Sequence, residues 1–189
     1  MMTKSRAHPA APADWPTRRI EPVVQGDFRI SRDPDVVFST ILGSCVSACV
    51  FDPGANVGGM NHFLLPGDDA ASRSEMKYGV MAMELLINEL LKAGARRGQL
   101  RVKLFGGARV SASFGDIGEK NVSFARSYLQ REGFRVVSES LGGIQARRLH
   151  FRPATGAARM VLLPPTEAPQ EACALPQGRG RGDQGIILF

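Results

Sequence analysis

From residue 35 to residue 163 the sequence keeps breaking into short β-rich runs cut by glycine turns, and it sustains a helical period only twice. Residues 35–41 and 46–51 flank Gly43-Ser44, and Asp52-Pro53-Gly54 signals a turn after the second run. Residues 59–65 end at Pro66-Gly67, and residues 100–105 run into Gly106-Gly107. Residues 134–141 and 147–151 lie around Gly142-Gly143, and Thr155-Gly156 leads into a last run over 158–163. The first helix is marked by Met76, Val80, Met83, Ile87 and Leu90 at alternating steps of four and three, with Ser74 as N-cap and Gly94 as the stop. Met76, Met81 and Met83 read as core filling. A second helix over 118–131 closes at Gly133. Many short strands with two helices on separate connections argue for an α+β domain with a mixed or antiparallel sheet, not a doubly wound parallel one.

The ends of the chain do not carry this pattern. Residues 1–22 are rich in Ala and Pro, show no hydrophobic period, and read as a loose tail. Residues 164–189 form a second, Pro/Gly-rich tail, closed by the apolar Ile186, Ile187, Leu188 and Phe189. Residues 23–163 are left as one domain. At that size one core buries roughly two-thirds of the unfolded surface, so folding requires neither disulfides nor a structural metal. Cys45, Cys49 and Cys173 are odd in number and unevenly spaced, with no apolar signal segment before them, which suits a reduced cytoplasmic protein. No apolar run approaches the ~20 residues of a membrane span.

Charge raises a different class. Lys plus Arg 24 against Asp plus Glu 18 gives 24 − 18 = +6 and suggests nucleic acid, but only 7% of residues are aromatic. Stacking platforms are therefore scarce, and no helix-turn-helix or zinc-finger spacing occurs. Lys92, Arg96, Arg97, Arg101, Lys103 and Arg109 follow one another with no Asp or Glu between them. They read as a solvated face, with docking to an acidic protein surface as the alternative. No phosphate-binding glycine fingerprint is present, so nucleotide binding has no support.

Chemistry concentrates around Gly43-Ser44-Cys45. A cysteine directly after a Gly-Ser turn sits where backbone N–H groups of Gly43, Ser44 and Cys45 can converge on an oxyanion. A thiol is mostly protonated at neutral pH, so a nucleophilic Cys45 needs a base within reach. His62 is the first histidine downstream, in a segment short enough to pair beside the Cys45 strand. A hydroxyl at Ser39 or Thr40 would hold the imidazole in one tautomer. Alternation across an unbroken extended run favours Ser39, six residues before Cys45, although the turn at Gly43 interrupts that run. Cys49, between Ala48 and Val50, reads as an inert buried thiol, and Cys45 itself has the same structural alternative. Cys45, Cys49 and His62 as a metal module lack a fourth ligand.

Several ordered motifs carry a resemblance. Leu42-Gly43-Ser44-Cys45-Val46, Asp52-Pro53 and Gly58-Gly59-Met60-Asn61-His62-Phe63-Leu64-Leu65-Pro66 are followed by Lys77-Tyr78-Gly79 and Leu85-Leu86-Ile87-Asn88. Lys103-Leu104-Phe105-Gly106-Gly107-Ala108 and Ile117-Gly118-Glu119-Lys120-Asn121 complete the series. Together they resemble the CheD family of chemoreceptor glutamine deamidases over residues 25–163. The resemblance implies a cytoplasmic chemotaxis enzyme with a sandwich-like mixed β core flanked by two main helices, similar to the deamidating cytotoxic necrotizing factor domains. It implies Cys45 as nucleophile, His62 as general base and acid, and a hydroxyl shortly before the cysteine, placed on Ser39 with Thr40 adjacent. No cofactor or metal is implied. The implied partners are the cytoplasmic helical domain of a chemoreceptor as substrate and a CheC-type phosphatase. The runner-up reading is a non-catalytic adapter for that phosphatase.

Overall fold

The computed structural model describes residues 19–65, 72–110 and 116–164. His8, the Pro66-Gly67 turn, Cys173 and the apolar segment 186–189 lie outside them. Among the described residues nine strands form two sheets: β1 (Arg19–Pro22), β2 (Phe28–Ser31), β3 (Val36–Leu42), β4 (Val46–Asp52), β5 (Val57–Asn61), β6 (Arg101–Gly106), β7 (Arg135–Leu141), β8 (Arg147–Arg152) and β9 (Ala157–Leu162). The first sheet has the order β1-β3-β8-β9 and the second β2-β5-β4-β6-β7. Both are mixed, because β1 runs parallel to β3 and β7 parallel to β6 while every other pairing is antiparallel. Helices α1 (Ser72–Lys92) and α2 (Ile117–Arg131) both pack on the second sheet. The result is an α+β arrangement of three layers, sheet on sheet on helices.

The middle sheet explains why β4 reads as an unbroken apolar run, since every residue of β4 is buried. Val46, Ala48 and Val50 face the helices with Met83, Leu86, Ile87 and Leu90 of α1. Cys49 and Phe51 face the other way, into the space between the sheets, with Phe38, Met60, Leu149 and Phe151. Each of these large side chains contributes about 1.5–3 kcal/mol relative to exposure. β5 can lie under α1 only because it is nearly bare: a Cβ at Gly59 would stand 2.6 Å from Leu86 Cδ1 and 2.7 Å from the Arg29 carbonyl oxygen.

Several expectations are corrected. The N-terminal tail does not extend to residue 22, because Arg19–Pro22 pairs in parallel with Val36–Ser39 as β1. The strand Phe28–Ser31 carries no clear signal in the sequence either. α1 begins at Ser72, before Ser74. Met83 is core, but Met76 and Met81 are 53% and 52% exposed, so they do not fill it. The basic segment without acidic neighbours in sequence acquires them in space: Lys92 pairs with Glu89, Arg96 with Asp52, Arg97 with Glu132 and Arg109 with Asp116. Four of the six basic residues are thus ion-paired.

Candidate active site

Three predicted residues arrive at one end of the gap between the sheets from three different segments. Thr40 comes from β3 in the first sheet, where Val36, Phe38, Thr40 and Leu42 form the buried inward set. Cys45 ends the turn into β4, and His62 follows β5 in the second sheet. The β4–β5 pairing matches Cys49 to Met60 and continues to a bridge between Val46 and Phe63. Counted through to that isolated bridge, the register sets His62 opposite Ser47, one place from Cys45 on the face that Cys49 and Met60 share.

The imidazole is held from one side. Its Nδ1 lies 2.9 Å from Thr40 Oγ1 and 3.3 Å from the Val23 carbonyl oxygen. A carbonyl only accepts, so the contact with Val23 places the proton of the neutral ring on Nδ1. Nε2 then carries the lone pair, is buried, and has no hydrogen-bond partner among the described residues. Burial pushes the His62 pKa below its ordinary value, against the smaller raising effect of the Val23 carbonyl, so the ring is neutral at pH 7.

The Ser39 expectation is corrected. Ser39 lies opposite His150 in the β3–β8 ladder, on the other face of β3, and Thr40 meets His62. Counting across Gly43 fails because β3 and β4 belong to different sheets, so their alternations are independent.

The turn is braced from behind. The Gly43 carbonyl accepts from Ala108 N–H at 2.8 Å, and that of Cys45 accepts from Gly107 N–H at 2.7 Å. The Ser44 carbonyl accepts from Asn121 Nδ2 at 3.2 Å. Fully buried Asn121 also accepts from Leu65 N–H at 2.8 Å, so α2 locks both the turn and the segment after His62. Gly106 permits this approach at φ 115°, where a Cβ would stand 2.1 Å from the Cys45 carbonyl oxygen. Asn121 sits inside a motif quoted above, yet its role is invisible until the helix docks.

The two described thiols differ. Cys49 is fully buried, and desolvation holds its thiol far above the ordinary range. Cys45 donates to Gln25 Oε1 at 3.4 Å. On α1, burial and then the neighbouring Cys45 raise the pKa of Tyr78. Among the described residues no three His, Cys, Asp or Glu side chains gather as metal ligands. No helix among them is long and apolar enough to cross a membrane.

The profile described as CheD chemotactic sensory transduction matches residues 64–161. A protein of Rhizobium meliloti named probable chemoreceptor glutamine deamidase CheD is 54% identical over 154 residues, covering 80% of this chain and 84% of its own. This chain belongs to the CheD family. CheD proteins of Acidiphilium cryptum and Caulobacter vibrioides, named the same way, are 53% and 48% identical, covering 82% and 84% of this chain and 82% and 86% of their own. Among solved structures, a DUF152 protein of Neisseria meningitidis aligns with TM-score 0.40 at 13% identity, covering 62% of this chain and 53% of its own. YfiH of Bacillus licheniformis aligns with TM-score 0.41 at 14% identity, covering 66% and 60%. Both likenesses are too loose to inform the CheD site.

Proposed function

We propose that the chain deamidates glutamine side chains on the cytoplasmic helices of chemoreceptors, converting them to glutamate. The single observation that carries this reading is the buried, neutral His62, with Nδ1 engaged by Thr40 and the Val23 carbonyl and with Nε2 buried without a hydrogen-bond partner among the described residues. The names of the relatives supply the substrate class.

Nε2 takes the Sγ proton as Cys45 attacks the carboxamide carbon, forming the S–C bond. The oxyanion falls to N–H groups of the Gly43-Ser44-Cys45 turn, whose three carbonyls are tied to Ala108, Asn121 and Gly107 on the opposite side. The imidazolium returns the proton to the departing nitrogen, and the C–N bond breaks to release ammonia. Water gives a proton to Nε2 and adds to the thioester, and Cys45 leaves as the thiol when that proton returns. The net reaction consumes one water and yields glutamate. A glutamate methyl ester enters the same path with methanol as leaving group.

Incubating a receptor cytoplasmic fragment with the protein and measuring its intact mass tests the reading. The wild type should add about one dalton per converted glutamine, and Cys45→Ala none. No gain with receptor fragments from the same organism would overturn it.

A further inference from the structure

Cys45 is only 3% exposed, yet its proposed substrate is a side chain of another protein. Something on the sulfur has to move before a glutamine can reach it. One group in contact is the side chain of Gln25, whose Oε1 accepts the Sγ hydrogen bond at 3.4 Å while the residue as a whole is exposed.

Gln25 belongs to the connection between β1 and β2, and that connection is clamped around the candidate base. Val23 N–H donates to the Ser39 carbonyl at 2.9 Å, Gly26 N–H donates to the His62 carbonyl at 2.7 Å, and His62 N–H donates to the Asp27 carbonyl at 3.0 Å. The backbone on both sides of Gln25 is therefore anchored beside the site, and its side chain reaches inward from a fixed base. Its terminal group is a carboxamide, the same group that the proposed reaction consumes.

We propose that Gln25 holds the substrate's carboxamide place in the resting enzyme and that the incoming glutamine displaces it. This rests on the deamidase reading above. In the resting contact the oxygen of the Gln25 amide, not its carbon, faces the sulfur, so the contact is a hydrogen bond and not an attack geometry. While it lasts, the Sγ proton is directed at Oε1 and away from His62, which keeps the sulfur in its weakly nucleophilic thiol form. Displacement frees that proton for Nε2, so the nucleophile is activated only when a substrate occupies the site. The same contact shields the thiol from other electrophiles between turnovers.

Alkylation of Cys45 by iodoacetamide, followed by peptide mass analysis in the absence of receptor, reads this directly. Gln25→Ala removes the carboxamide, and Gln25→Asn withdraws it by one methylene. Both should react roughly two- to fivefold faster than wild type, the scale of one weak hydrogen bond. Gln25→Glu should react more slowly than wild type, because a carboxylate beside the sulfur disfavours the thiolate. Opposite effects of Ala and Glu separate this gate from simple loosening of the loop. Wild-type rates in Gln25→Ala and Gln25→Asn, with circular dichroism unchanged, would overturn the proposal, as would a Glu variant as fast as the Ala variant. The receptor mass assay fails separately: no product from any variant counts against deamidation and leaves the alkylation result standing.

Discussion

At the scale of single residues, the division of labour around His62 decides what each substitution does. Thr40→Val removes the hydroxyl at Nδ1 but leaves the Val23 carbonyl, so turnover should fall without vanishing. The loss should be smaller than the roughly 10²- to 10⁴-fold drop expected for His62→Ala. Ser39→Ala, on the other face of β3, should turn over at close to the wild-type rate, and steady-state assays of the three variants at equal folding check this order. Because burial lowers the His62 pKa, the acid limb of kcat/KM should lie below the ordinary histidine value of 6.5. A pH–rate profile with its limb above that value would contradict a neutral resting imidazole. Cys49→Ala should keep turnover and cost about 1 kcal/mol of packing, read from urea unfolding, since its thiol is fully buried and held protonated.

At the scale of elements, the Gly43-Ser44-Cys45 turn depends on α2 and on the end of β6. Asn121→Ala leaves the Ser44 carbonyl and the Leu65 N–H without their buried partner, at a cost of about 1–3 kcal/mol. The same loss releases the turn, so turnover should fall more than stability alone explains. Assaying Asn121→Ala well below its melting temperature separates the two effects, and unchanged kcat would show that the turn holds its shape without the helix. Both short strands β1 and β2 are sheet edges, and each carries an arginine, a common way of blunting an edge. Their more important service is the connection between them, which brings the Val23 carbonyl and Gln25 to the site.

At the scale of the whole molecule, His62, His150 and Asp52 tie stability to pH in one direction. His62 and His150 both titrate below the ordinary 6.5 when folded, burial being the main cause in each and Arg148 and Arg159 adding to it for His150. Below pH 6.5 the unfolded chain therefore binds more protons than the folded one, and stability falls as acid is added. Burial would raise the Asp52 pKa, but the backbone N–H groups of Arg96, Ala55 and Gly54 outweigh it and hold the carboxyl below 3.8. Its contribution is present above pH 3.8 and is lost as the pH falls through the folded value. Urea midpoints measured from pH 8 downward should decline in these two windows, and His150→Gln should make the first decline shallower. A midpoint flat from pH 8 to pH 5 would contradict the histidine assignment.

The alternating periods, the glycine turns and the α1 stripe were enough to determine an α+β chain and the bounds of seven strands to within a few residues. These signals are local: each strand or helix announces its own buried face through its own spacing. Tertiary structure decided the rest. β1 and β2 are four residues long and gain their order from β3 and β5, so no period within them reveals it. The exposure of Met81 depends on how α1 rolls onto the sheet, and the pairing of Arg96, Arg97 and Arg109 depends on acids up to 44 residues away. Thr40, not Ser39, meets His62 because the two sheets face each other across a gap, and no count along one chain carries phase from one sheet to the other.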